Sequence, residues 1–150
     1  MPIHVARDAQ ENSTLLITFE APWTWHEIYI IRDLVRYLVD TSPEEAHFIY
    51  DMSRNRTPRG NAGPHLRNFV ANLPAAAQEA LHAFVDASPD WKAHMTLFTR
   101  AYPDMALDVV YVSSLEDARS AVRRKREQFP AFDDEINEES DPQRWPPSSS

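Results

Sequence analysis

Three arginines, Arg54, Arg56 and Arg59, fall close together in the segment SRNRTPRGNAGP, residues 53–64, which also holds both glycines of the protein. Such composition makes a loop. A guanidinium fork matches carboxylate and phosphate oxygens, so this loop, with Gly60, Asn61 and His65 beside it, could hold an anion or the carboxylates of a partner. The plainer alternative is a solvated loop whose arginines pair with nearby acids, a contact worth little. A Walker phosphate loop is excluded, because Gly60-Asn61-Ala62-Gly63 lacks both its spacing and its Lys-Ser/Thr end.

Other chemistry finds less support. The six histidines (His4, His26, His47, His65, His82 and His94) form no H-x-H, H-E-x-x-H or H-x-x-E-H pair, and Ile30 stands where His26-Glu27 would need its second histidine. They read as scattered surface or half-buried residues, and no metal site is expected. Asp86-Ala87-Ser88 sets a serine at a strand-to-helix junction. However, Pro89 removes the main-chain N–H an oxyanion hole would use, and helix capping accounts for Ser88. The nucleophile elbow G-x-S-x-G is missing. No catalytic residue and no cofactor is assigned, and the expectation is a non-enzyme.

Bulk properties narrow the partner. The chain has 150 residues, 43% of them hydrophobic, and a formal charge of −8. That balance argues against nonspecific nucleic-acid binding. Residues 129–150 hold six acids and one base, so the first 128 residues carry only −3. There is no cysteine, hence no disulfide or thiolate metal site. The N-terminus has no apolar signal core and no run reaches membrane-spanning length, so a cytoplasmic protein without membrane insertion is expected.

These residues need elements to position them. Trp23 to Ser53 reads as a capped helix, a Pro turn and a buried strand. Thr24 and Glu27 have capping-box spacing, and Trp23 is placed to pack on Ile28. Ile28, Ile31, Leu34, Val35 and Leu38 form an apolar stripe, and Ser42-Pro43 stops the helix. Ala46–Met52 is a strand. Before this stretch, Ile3–Asp8 and Thr14–Glu20 read as a hairpin. After it, a helix opens near Pro64, with Leu66, Phe69, Val70 and Leu73 on one face. Residues 74–88 are ambiguous: the alanines favour helix by propensity, whereas 81–86 could be a strand. Ser88-Pro89 then starts a helix whose Trp91, Met95, Phe98 and Tyr102 read first as core, and otherwise as an exposed recognition stripe. Leu107–Ser113 is a strand. A last helix, opened by Ser113 or Ser114 with Leu115, Ala118 and Val122 inward, ends in the basic run 123–126. Residues 129–150 read as a disordered acidic tail, one that could fold back onto the basic run or the arginine loop. The expected fold class is α/β: a mixed, mostly parallel five-stranded sheet with four helices and an antiparallel N-terminal hairpin, spanning 1–128.

The order and spacing of APWTWHEI, FIYDMS, the Pro58-Arg59-Gly60 loop, DASPDWKAHMTLFTRAYP and VVYVSSLEDAR resemble a STAS domain, as in anti-sigma-factor antagonists, and more closely the small standalone STAS-like bacterial proteins. The resemblance covers roughly residues 3–126 and favours the strand at 81–86. It implies a regulatory, protein-binding domain, whose antagonist members carry a phosphorylated Ser or Thr at the start of the helix after the third strand. Here Pro58 to Gly63 offers no hydroxyl; the nearest, Ser53 and Thr57, are the phosphoacceptors the resemblance leaves, and a phosphate at a helix N-terminus near three arginines would be well held. The expectation is a domain that binds a protein through the 53–65 loop and the following helix. The alternative is a small-anion or nucleotide binder using the same loop. A homodimer is compatible with the sequence.

Overall fold

The computed structural model describes residues 2–136 except 75, 76, 78 and 106, with side chains as far as Gln128. The chain divides into two compact units, Met1–Arg119 and Ser120–Ser150. The first contains the sheet: β1 (Ile3–Arg7), β2 (Thr14–Glu20), α1 (Trp25–Asp40), β3 (His47–Arg54), α2 (Ala62–Ala71), β4 (Leu81–Val85), α3 (Pro89–Ala101) and β5 (Asp108–Val112). A 3-10 turn, Pro103–Met105, follows α3, and α4 (Leu115–Ile136) runs through the division.

The strands lie in the order β1-β2-β3-β4-β5, with β1 antiparallel to β2 and every later pair parallel. This is the expected mixed sheet. Each parallel step needs a crossover, and right-handed crossovers between successive neighbours put α1, α2 and α3 on one face. That face is built in rows. Ile17, Tyr50, Phe84 and Tyr111 stand in register across four strands, as do Leu15, Phe48, His82 and Val109. Ile28, Ile31 and Val35 of α1, Leu66, Phe69 and Val70 of α2, and Trp91, Met95 and Phe98 of α3 complete the core. Trp91, Met95 and Phe98 are therefore interior rather than a recognition stripe. A small apolar cavity of about 40 Å³ remains among Phe84, Trp91, Met95 and Phe98 and their neighbours.

Local signals fix the helix ends. The Glu27 carboxylate accepts the Thr24 main-chain N–H at 3.0 Å, the reciprocal half of the capping box. At the far end, the Thr41 and Ser42 hydroxyls donate to the carbonyls of Tyr37 (2.8 Å) and Leu38 (2.7 Å), satisfying orphan acceptors before Pro43. The Ser88 hydroxyl accepts the Trp91 N–H at 3.1 Å, and the Ser114 hydroxyl that of Asp117 at 3.1 Å. Ser88 is thus a cap.

Several expectations need correction. Leu34 is 45% exposed; Trp25, one residue inside the cap, is buried in its stead. His47 and His82 are fully interior, not half-buried. Each ring is held through Nδ1: that of His47 accepts the Leu81 N–H at 3.0 Å, and that of His82 bonds the Tyr50 hydroxyl at 2.8 Å. Burial pushes the Tyr50 hydroxyl pKa well up. The last helix does not stop at the basic run but continues to Ile136. Cationic residues suit a helix C-terminus without terminating it, and helix formers such as Glu127, Gln128 and Ala131 follow. Residues 137–150 of the acidic tail, and residues 75, 76 and 78, lie outside the described residues.

The start of α4 is anchored by a buried ion pair. Arg119 donates through Nε and Nη2 to both Asp8 oxygens, at 2.9 and 2.8 Å. The Asp8 side chain is 1% exposed. It also accepts the main-chain N–H groups of Gln10 and Glu11, closing the β1–β2 turn. The hydrogen bond from Arg119, above all, holds the Asp8 carboxyl below the usual carboxylate range.

Candidate functional site

The arginine loop leaves the sheet at the carboxyl end of β3, where open α/β sheets bind ligands. Its first residue is tied to the neighbouring strand. Ala21 N–H donates to the Arg54 carbonyl at 3.1 Å, and the Arg54 guanidinium meets Glu20 at 3.3 Å. The Asn55 N–H then closes a turn onto the Met52 carbonyl at 3.1 Å.

Beyond this point two tryptophans hold the loop. A buried indole needs a partner for its N–H, and both rings before and inside the α1 cap find one here. Trp23 Nε1 donates to Asn55 Oδ1 at 2.7 Å, and Trp25 Nε1 donates to the Arg59 carbonyl at 3.2 Å. The two rings meet edge to face, with centroids 5.1 Å apart, and Trp23 also packs on Phe19 at 5.1 Å. The span from 55 to 59 is therefore held at both ends from one aromatic cluster, through the Asn55 side chain and the Arg59 carbonyl. Asn55 Nδ2 adds a bond to Thr57 Oγ1 at 3.2 Å inside the span.

After Arg59 the chain turns at Gly60, whose φ of +110° lies in a region that side chains resist. The Asn61 side chain then caps α2 by accepting the Gly63 N–H at 3.1 Å. A Cβ at Gly60 would meet nothing within 4 Å. Gly60→Ala is accordingly expected to cost roughly 1–3 kcal/mol through backbone strain alone. Gly63→Ala, at an ordinary φ with the Asn61 Oδ1 at 3.4 Å, should be close to neutral. Urea unfolding of the two variants side by side checks the contrast.

The arginines do not behave alike. Arg54 has its carboxylate in Glu20. Arg56 and Arg59 are exposed, and among the described residues neither has an acidic partner. They border an open cleft of about 530 Å³, with Ala21, Pro22 and Trp23 on one wall and Arg56 to Arg59 on the other. A second cleft, of about 230 Å³, lies between Asn61, Gly63 and Pro64 at the start of α2 and His94, Leu97 and Tyr102 of α3. Leu97 is 61% exposed there.

His65 is placed differently. Its ring stacks on Trp25, with centroids 5.3 Å apart and planes within 9°, and its Nδ1 bonds the Tyr29 hydroxyl at 2.8 Å. It cements α1 to α2 underneath the loop rather than lining either cleft. Ser53 donates its hydroxyl to Asp51 at 2.8 Å and stands before the turn, away from the α2 cap. Among the described residues no group of three His, Asp or Glu side chains could hold a metal ion, and no helix is long and apolar enough to cross a membrane.

The chain is similar to an anti-sigma-factor antagonist (STAS) domain protein from Planctomyces limnophilus, with a TM-score of 0.55 over 81% of this chain and 97% of that one. The chain adopts a STAS-like fold. Identity is only 15%, so the likeness is one of fold. No family model matches the sequence, and no curated protein matches it significantly.

Within the STAS-like fold, the residues that sequence reasoning missed are the ones that shape the loop: Trp23, Trp25, Asn55 and Glu20. The available signal was WTW itself, two large rings with polar handles two residues apart, next to a loop full of acceptors. Trp25→Phe keeps an aromatic ring but removes the N–H to Arg59 and part of the buried indole volume, which should cost about 1–3 kcal/mol. Its sharper consequence is local. Trypsin cleavage after Arg56 and Arg59 should accelerate in the native protein, because local opening of the loop becomes easier. Unchanged cleavage rates would mean the indole bond does not restrain the loop.

Proposed function

We propose that this chain is a non-enzymatic, regulatory interaction module that binds another protein through the 53–65 loop and the exposed side of α2. One observation carries this reading. The loop is held at both ends by indole N–H bonds, yet it presents two arginines that no carboxylate of the described residues satisfies. Holding a surface segment rigid lowers the entropy lost when something binds it. Arginine is enriched where proteins meet proteins. The fold is compatible, since the similar solved structure is titled an anti-sigma-factor antagonist. The proposal does not rely on a phosphate switch. Asn61, not a serine or threonine, caps α2, and the nearest hydroxyls, Ser53 and Thr57, stand earlier in the loop.

The test is affinity capture from the source lysate with wild type and an Arg56→Ala/Arg59→Ala variant in parallel. Proteins held by the wild type and lost by the variant support the reading. An identical set from both baits overturns it.

A further inference from the structure

We infer that the cleft between Ala21–Trp23 and Arg56–Arg59 receives an acidic, extended segment of the partner protein, with two of its carboxylates on Arg56 and Arg59. This inference rests on the interaction reading above and adds the chemistry of the partner.

Charge supplies the first support. Arg32, Arg36, Arg54 and Arg119 each have a carboxylate partner, whereas Arg7, Arg56, Arg59, Arg67 and Arg100 have none among the described residues. Arg7 bonds Leu38 and Thr41 instead, and Arg67 lies over the Tyr102 ring, while Arg56 and Arg59 border the same cleft. They stand three residues apart on one wall, with Thr57-Pro58 between them, and the span is held by Trp23 at the Asn55 side chain and by Trp25 at the Arg59 carbonyl. Two forks held at a set spacing select two carboxylates better than one.

Shape supplies the second support. A cleft of about 530 Å³ is far larger than one inorganic anion needs. Its remaining walls are Ala21, Pro22, Trp23 and Pro58, which suit the methylenes and main chain of an extended peptide. The Ala21-Pro22 wall belongs to the segment that joins β2 to α1, so the segment would lie across the carboxyl end of β2.

The probe is a fluorescein-labelled octaglutamate peptide, with octaglutamine as its neutral control, read by anisotropy on the full chain at two salt concentrations. Octaglutamate should bind and weaken with salt. Arg56→Glu/Arg59→Glu should weaken it at least about tenfold, the size expected when charge-assisted bonds are lost. Arg36→Glu, an equal charge reversal at a position that does not line the cleft, should change it less than about twofold. Thermal melts of the variants establish that they fold. Octaglutamate binding no tighter than octaglutamine, or binding indifferent to the double reversal, overturns the inference. So does displacement of the peptide by inorganic phosphate or ATP at stoichiometric concentration, which would assign the arginines to a free anion. If the double reversal abolishes lysate capture while octaglutamate does not bind, the acidic-segment inference falls and the interaction reading stands. If capture survives the reversal, the interaction reading falls as well.

Discussion

Arg119→Met should lower the stability of this protein by about 3–5 kcal/mol at neutral pH, the usual cost of stripping one partner from a buried ion pair. Small domains have about 5–15 kcal/mol in all, so the loss would be large. It arises because the Asp8 carboxylate, 1% exposed, would be left with only the main-chain bonds from Gln10 and Glu11. The pH dependence follows from the direction of the Asp8 shift. A carboxyl whose folded pKa lies below its unfolded value, about 3.9, stabilises fully above that value and loses the contribution as pH falls through the folded one. The gap between wild type and Arg119→Met should therefore be widest near neutrality and narrow towards acid. Asp8→Asn/Arg119→Met, which leaves no buried charge, should recover part of the loss. Urea unfolding at several pH values measures all three. A loss under about 1 kcal/mol at pH 7, or a gap that ignores pH, would show that the pair is ornamental.

The second large effect is expected at Phe84. It sits mid-row on the helix-covered face, stacked 4.5 Å from Tyr50 and 5.8 Å from Tyr111 and tilted 5.8 Å from Trp91, measured between ring centroids. Phe84→Ala should cost about 3–5 kcal/mol, combining lost apolar transfer with a new void. The existing 40 Å³ cavity that Phe84 lines would merge with that void, which gives the neighbours less reason to close around it. Phe84→Met, which refills most of the volume, should cost less. Chemical unfolding with both variants checks the order. A loss below about 1 kcal/mol for alanine would mean the row repacks freely.

Much of this architecture is legible in the chain because it is written locally. Thr24 and Glu27, Ser88 with Pro89, and Ser114 with Asp117 announce helix starts within four residues of sequence, and each forms a bond in place. Val, Ile and aromatic runs mark the strands. Leu81–Val85 is the instructive case. Leu81, Ala83 and Val85 alternate onto one face, but alanine-rich neighbours favour helix, and the family resemblance helps decide for strand; in the structure all five positions are buried. Leu34 misled for the opposite reason. It lies on the edge of the apolar stripe, where periodicity counts it in and geometry leaves it out. The site was legible only in part. Composition locates the loop, and arginine chemistry suggests its use. The distinction between Arg54 and the other two arginines depends on Glu20, 34 residues away. The loop's rigidity depends on indole groups 32 and 34 residues from their acceptors. His65 looked like a loop residue because its neighbours are; Trp25 and Tyr29, on another helix, claim it. No short-range pattern carries such pairings.

The strand order also bears on how the chain is made. Because β1 to β5 lie side by side in the order of their synthesis, each new strand finds its only upstream neighbour already in place, and no strand must wait for a later one to fill a gap beside it. A nascent chain can therefore lay down the sheet progressively as it leaves the ribosome, with short excursions between pairing partners. The Asp8–Arg119 pair breaks that economy, since its members are 111 residues apart. Asp8 emerges near the start and stays hydrated until Arg119 follows, so a ribosome that stalls before residue 119 would release a sheet whose first turn still lacks its lock.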